Sequence, residues 1–335
     1  MLVRGSNYET QKRFGSMKSY ISLCALALVV GACSGSNPFT VVDAGTGTPT
    51  TSGVPAAIQS DLTSFVYDPV AQTLSVTGID NIGNTPTTVF RRRANLDVMA
   101  PNGTVAYEAY TAQAGPLNEH ATSYVKTISD VTAAVVVTGG QFTQYEGGAV
   151  YSRNGSYSPA PVSAQNSQGL VEYAGSYIGL SNVNGPTTDI TPVVGTPSPG
   201  IVTSQASQVN GDMFIVVDFG NSTLRGVIQN RVLTAINNNT GATVIENVPD
   251  LALIKTGVAD DGTFNGSVEI LGNTDVGTFA GILGGPESEA IAGGIFVDNH
   301  FEDQREGEDE FGIFVLGQCG TSSTNDPATC ALSVP

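Results

Sequence analysis

The chain reads as an all-β protein: a small N-terminal β region followed by a second, larger β region that builds a sandwich or a soluble barrel. Three observations predict this. Among 335 residues there are 40 glycines and 13% charged residues, while apolar residues stay at 40%. That is too apolar for disorder and as rich in glycine as a protein with many tight turns requires. Val, Ile, Thr and Tyr recur in short runs suited to a pleated, half-buried surface. Gly, Asn, Asp and Pro cluster between these runs, and no long segment repeats apolar residues at the helical period.

Ordered structure is expected to start near Ile58. Residues 62–67 and 73–78 predict two strands joined by a turn that holds Asp68 and Pro69. Strands at 88–91 and 104–110 follow, the second after Pro101-Asn102-Gly103. Residues 123–128 and 133–138 continue the series, and 133–138 is apolar on both faces and therefore central. A strand at 148–152 and the turn Asn154-Gly155 complete the first region, assigned to residues 57–165. In the second region, 166–318, strands are expected at 171–180, 213–219, 223–229, 232–236, 242–248, 251–256, 263–270, 277–283, 290–297 and 311–316. Turn residues punctuate them at Gly220-Asn221, 237–241, 260–262 and 284–286. Strands at this spacing build a sandwich or a barrel. The Pro/Gly/Ser/Thr-rich stretch 181–211 reads as a long surface loop. A lipid-facing barrel fits less well, because its strands need about ten residues with an outward apolar band.

The N-terminus supplies an address. Lys12, Arg13 and Lys18 precede an apolar run at 21–30 and then Gly31-Ala32-Cys33-Ser34, the order of an export signal. A spanning helix needs about 20 apolar residues, more than this run supplies. The small-small-Cys ending resembles the lipobox of bacterial lipoproteins. It implies a signal peptide over 1–32, lipidation of Cys33, and, with Ser34 rather than aspartate next, the outer membrane. An ordinary secretory signal with an incidental Cys33 is the alternative, and Met17 is an alternative start. Residues 33–56 read as a flexible tether. Removing 1–32 takes away Arg4, Lys12, Arg13, Lys18 and Glu9, so 13 Lys and Arg become nine and 30 Asp and Glu become 29. Such an acidic chain is not a nucleic-acid binder and does not adsorb to anionic lipid.

Of four cysteines, Cys24 lies in the signal and Cys33 is the lipidation candidate. Cys319 and Cys330 remain, and in an exported protein they predict a disulfide closing the tail 319–335. A two-cysteine metal site is the rival reading, with no other soft ligand nearby.

Catalytic motifs are missing: there is no nucleophile elbow, zinc-binding helix, phosphate loop or dinucleotide fingerprint. The sequence therefore predicts no enzyme and no cofactor, with a carboxylate pair for glycoside chemistry as the residual option. The two histidines, His120 and His300, read as surface residues. The stretch 298–310 carries seven carboxylates beside His300 and reads as a solvated loop, with weak calcium binding or a basic partner as alternatives. Arg91 and Arg93 fall on one face of a strand and Arg92 on the other. They either grip an anionic group or pair with local carboxylates. Eight tyrosines crowd residues 107–177 and none follows. A binding face, if present, is placed on Arg91, Arg93, Tyr107, Tyr110, Tyr145 and Tyr151. Ordinary strand packing is the other use for those tyrosines.

The second region has a recognisable order. Gly262-Thr-Phe-Asn-Gly and Gly277-Thr-Phe-Ala-Gly precede Gly284-Gly-Pro286, then Glu289, Gly293 and Phe296, then Phe311-Gly-Ile-Phe. This resembles the C-terminal barrel of transferrin-binding protein B-like surface lipoproteins, a group that includes factor H-binding proteins. Glu289 stands one residue further from Gly293 than the family pattern asks. The resemblance covers residues 166–317 and implies that they form a soluble, closed eight-stranded antiparallel β-barrel filled by Phe264, Phe279, Phe296 and Phe314, with the small N-terminal β region before it as a handle-like part. It further implies a lipid-anchored envelope protein that binds a partner, either a protein or an iron or haem carrier, and touches the membrane only through its N-terminal lipid. A structural or accessory outer-membrane lipoprotein without exchangeable ligand is the alternative.

Overall fold

Alternation of apolar and polar residues from Ser64 onward folds into strands as the pattern requires. The computed structural model describes residues 37–42, 53–79, 87–140, 145–162, 169–195, 203–237, 240–270, 274–301, 307–321 and 329–331. Cys33, the signal segment and Met17 lie outside the described residues. The first sheet contains β1 (Phe39–Val41), β2 (Ser64–Asp68), β3 (Thr73–Thr77), β4 (Thr87–Arg92), β5 (Val98–Met99), β6 (Val105–Ala112), β7 (Ala121–Ile128), β8 (Val131–Thr138) and β9 (Gly147–Arg153). Its order is β1-β2-β3-β4-β6-β7-β8-β9, with β5 on β6, and only β1–β2 is parallel. The predicted turn at 68–71 forms because Asp68 Oδ1 accepts the amides of Val70 and Ala71. β8 is buried along its whole length, in keeping with its apolar faces.

The expected tether is corrected in part. Phe39 sits in a polar tract without periodicity, yet three residues suffice to pair with β2, and the Phe39 and Phe65 rings meet edge to face at 5.3 Å. A short helix, α1 (Ala56–Gln59), follows and buries Ile58.

The second sheet closes on itself. It comprises β10 (Leu170–Gly185), β11 (Gln205–Asp218), β12 (Thr223–Ile236), β13 (Thr243–Asn247), β14 (Leu251–Gly257), β15 (Thr263–Ile270), β16 (Thr274–Gly284), β17 (Ala290–Asp298) and β18 (Asp309–Gln318). The path β11-β10-β18-β17-β16-β15-β14-β12 is sealed by pairing of β11 with β12, which gives eight antiparallel strands, and β13 is an extra strand on β12. Three strands are longer than expected. Ser181–Gly185 and Gln205–Gly211 belong to β10 and β11, so both ends of the predicted loop are strand; their Ser, Asn and Gly residues gave no apolar alternation to read. Residues 223–236 are one strand, with Asn230 at positive φ and a register shift opposite Asn210 and Asp212 where two strands were expected.

Period-two geometry decides which faces fill the barrel. Phe264, Phe279 and Phe314 lie in its core with Tyr173, Tyr177 and Met213. Phe296 does not: Ile291, Ile295 and Val297 take the inward positions of β17, so the intervening Phe296 points outward and packs at a tilt on Phe311, with ring centroids 4.9 Å apart. That outer wall is itself covered. Ile178, Leu180, Ile282, Phe311, Ile313 and Val315 share one apolar cluster with Val131–Val137 of the first sheet. Polar ties reinforce it: Tyr107 Oη donates to Ser176 O at 2.5 Å, Arg153 Nη1 to Leu283 O at 2.7 Å, and Asp130 Oδ1 accepts the Gly285 amide at 2.6 Å. No helix among the described residues is long and apolar enough to cross a membrane.

Cys319 and Cys330 form the predicted disulfide. Both pack with Ala174, Phe214 and Val227 on the outside of the barrel. The bridge spans a sequence separation of 11 residues. On the chain-entropy model reduction should therefore cost about 2–3 kcal/mol. Urea unfolding with and without reductant measures this, and the Cys319→Ser, Cys330→Ser pair should match the reduced protein.

Candidate functional site

The tyrosines expected on a binding face are used internally. Tyr107, Tyr110 and Tyr151 are buried. Tyr107 binds the barrel backbone through Ser176, and Tyr110 and Tyr67 both donate to Glu108 Oε2, at 2.9 and 3.1 Å. Tyr145 is half-buried and stacks on Phe311. Burial pushes the hydroxyls of Tyr107, Tyr110 and Tyr151 up, with Glu108 adding to it at Tyr110. The reason is topological: both faces of the central strands are covered, so strand alternation leaves no wet side there.

The arginines behave differently from one another. Arg92 points inward and clamps Asp97 with two hydrogen bonds of 2.5 and 2.6 Å. The Asp97 hydrogen bond raises its pKa, against the opposing effect of burial. Arg91 and Arg93 are exposed on the opposite face. Arg93 Nε lies 3.1 Å from Asp189 Oδ1 and 3.2 Å from Thr111 Oγ1. Asp189 comes from the loop after β10, and its Oδ2 also accepts the Thr111 hydroxyl at 2.6 Å and lies 3.2 Å from His120 Nε2. Burial alone would raise the Asp189 carboxyl, but His120, Thr111 and Arg93 outweigh it and hold the pKa below the ordinary value. His120 is thus a buried partner, 1% exposed, rather than the expected surface residue.

Pairing of β4 with β6 stops at Arg91 opposite Thr111. Beyond that point the strands part around a cavity of about 540 Å³ lined by Val89, Arg91, Arg93, Thr111, Gln113 and Asp189. Gln113 Oε1 accepts the Thr191 amide at 2.8 Å, which pins the loop to the cavity's rim. Arg91 makes no ion pair among the described residues.

A second charged group fills one end of the barrel. Glu310, at the start of β18, faces inward in phase with Phe314. Its Oε2 accepts Arg231 Nη2 at 2.7 Å and lies 2.9 Å from His300 Nε2, while Tyr177 Oη donates to Oε1 at 2.5 Å. All four side chains are buried. His300 is therefore not a surface residue, and the described ends of the predicted acidic loop carry Glu308 and Glu310 into the core; residues 302–306 lie outside the described residues. Sequence reasoning missed Arg231, Asp189 and Glu310. The available signal was phase: Glu310 stands four residues before Phe314, and Arg231 interrupts an apolar strand between Ile228 and Leu233. Chemically, this second cluster is self-neutralising, whereas the Arg91/Arg93 cavity presents charge to solvent. Among the described residues no group of three or more His, Cys, Asp or Glu side chains is placed to hold a metal ion.

No family model matches the chain, and no curated protein matches it in sequence. Among solved structures it is similar to transferrin binding protein B from Haemophilus parasuis Hp5. A double mutant is 11% identical over 75% of this chain and 52% of that one, with a TM-score of 0.36. A single mutant is 12% identical over 77% and 53%, with a TM-score of 0.33. The isotype 1 protein from serogroup B Neisseria meningitidis is 11% identical over 59% and 41%, with a TM-score of 0.29. The chain spans about half the length of the Haemophilus structures and less of the Neisseria one.

Proposed function

We propose that this chain is a lipid-anchored envelope protein that binds a partner and performs no catalysis, with the cavity between β4 and β6 as its contact surface. The observation that carries this reading is the division of charge. The Arg231–Glu310–His300 group is sealed in the barrel with its charges paired to one another, while Arg91 and Arg93 line an accessible, polar cavity. Such a cavity orients ligands and offers no positioned nucleophile. The export signal and Cys33 support the anchor, residues 33–38 the link from lipid to β1, and Ser34 the outer membrane. A protein, or an iron or haem carrier, is the partner class that the family resemblance favours.

The test is made in cells. A Cys33→Ser chain should lose radiolabelled palmitate and leave the membrane fraction, whereas wild type retains both. Protease added to intact cells should remove the wild-type protein from immunoblots. Protection until permeabilisation would sink capture of an external partner and favour the accessory periplasmic role.

A further inference from the structure

The partner's mode of binding follows from the strand edge beside Arg91. Arg93 N–H donates to Ala109 O across the β4–β6 boundary at 2.8 Å. In an antiparallel ladder every second residue addresses the same neighbour, so Arg91 and Val89 address that side as well. Arg91 meets Thr111, but at Val89 the sheet has opened. Over residues 88–90, β4 is paired with β3 on one side and, among the described residues, with no strand on the other. The Val89 side chain is 61% exposed, and the cavity opens beside it. An unpaired strand edge of this kind is a template for another strand.

Charge selects what can enter. Arg91 and Arg93 stand two residues apart on one face, just past the open stretch, and their long side chains line the same cavity as Val89. Arg93 is held in place by Asp189, which Thr111 and His120 fix in turn, so its direction is set before any ligand arrives. Among the described residues Arg91 has no ion-pair partner. Gln113 adds a polar side chain on the far wall.

We propose that the cavity receives an extended acidic segment of a partner protein by strand addition to β4, with backbone hydrogen bonds at Val89 and carboxylates on Arg91 and Arg93. This deepens the binding role proposed above and rests on it. Strand addition supplies affinity through main-chain bonds, and the arginines supply the preference for acidic side chains. The ion-pair part of the attraction is screened by salt, with a Debye length of about 10 Å at 0.1 M.

The experiment is fluorescence anisotropy of a labelled decapeptide of alternating glutamate and threonine, titrated with the purified full chain at low ionic strength. The glutamate peptide should bind, and the same peptide with lysine for glutamate should not. Arg91→Glu should weaken binding at least tenfold. N-methylation of alternate amides in the peptide should weaken it as much, and that arm requires no change in the protein. Val89→Pro gives the reciprocal arm, with circular dichroism as the check on folding. Absence of binding would overturn the proposal. So would binding that survives N-methylation, or that free glutamate displaces at equal carboxylate concentration, since either would make the site a plain anion pocket. Because this assay uses purified chain, its failure leaves the anchoring and cell-surface results standing, and their failure leaves the peptide result interpretable.

Discussion

Glu310→Ala is expected to destabilise the protein by about 3–5 kcal/mol, the usual cost of stranding a buried charge. Arg231 and Glu310 are both fully buried, and their contact is 2.7 Å. Among the described residues, removing the carboxylate leaves Arg231 with the Pro249 carbonyl, at 2.6 Å, as its remaining hydrogen-bond partner, and it also deprives His300 and Tyr177 of their contact with Glu310. The double change Arg231→Met with Glu310→Leu should recover most of the loss, because an apolar pair of similar volume carries no desolvation penalty. The pH dependence has a definite sign. Burial by itself would raise the Glu310 carboxyl, but Arg231's charge, the His300 contact and the Tyr177 hydroxyl outweigh it, and the pKa falls from 4.5 to about 2. A folded-state pKa below the unfolded value means that the contribution is complete above the unfolded pKa. It is lost as pH falls through that value toward the folded one. A shift of this size corresponds to about 3 kcal/mol. Urea midpoints of wild type and Glu310→Gln should therefore converge between pH 5 and pH 2, both bounds being approximate. A constant gap across that range would mean that Arg231 and Glu310 do not form the pair.

Much of the fold was legible because its signals are local. The turn at Asp68 was read from a residue that caps two amides, and β8 from an apolar run buried on both faces. Spaced strands pointed to a sandwich or a barrel, and its closure was implied by the family resemblance that the glycine–aromatic motifs carry. Three features depend on contacts between distant segments and left no local trace. β1 exists because Phe39 finds Phe65, not because its neighbours look like a strand. Asp189 lies in a loop without pattern, and its meaning comes from Arg93 and His120, 96 and 69 positions away. The tyrosines were identifiable as a cluster, but whether a strand's second face meets water or a barrel wall is decided by packing. The same holds for Phe296, whose motif position suggested the core while its phase relative to Ile295 put it outside. Of the candidate site, then, the arginine pair was visible and the cavity that it lines was not.

Phe279→Ala should lower stability by about 3–5 kcal/mol, the usual range for emptying a buried aromatic site. More informative is its coupling to Gly266. The two residues are directly opposite on β15 and β16, and Phe264 stands opposite Gly281 on the same pair of strands. Gly293 and Phe314 repeat the arrangement on β17 and β18. In each case the ring lies over the glycine. A Cβ added at Gly266 would come within 2.7 Å of Phe279 Cε1, and at Gly281 and Gly293 within 2.4 Å of Phe264 and Phe314. The Gly-x-Phe-x-Gly spacing thus has a mechanical meaning. A small barrel has room for one large side chain per cross-strand pair, and the ring shields the backbone that glycine exposes. Gly266 gives the clean test, because its nearest neighbours would be the ring and Thr256 Cβ rather than backbone. Gly266→Ala alone should cost about 1–3 kcal/mol through overpacking. In the Phe279→Ala background the added methyl enters space the ring has left, so the double variant should fall short of the summed losses by at least about 1 kcal/mol. Denaturant unfolding of the four proteins supplies the cycle. Simple additivity would show that the glycines serve strand curvature alone and that the rings fill the barrel independently of them.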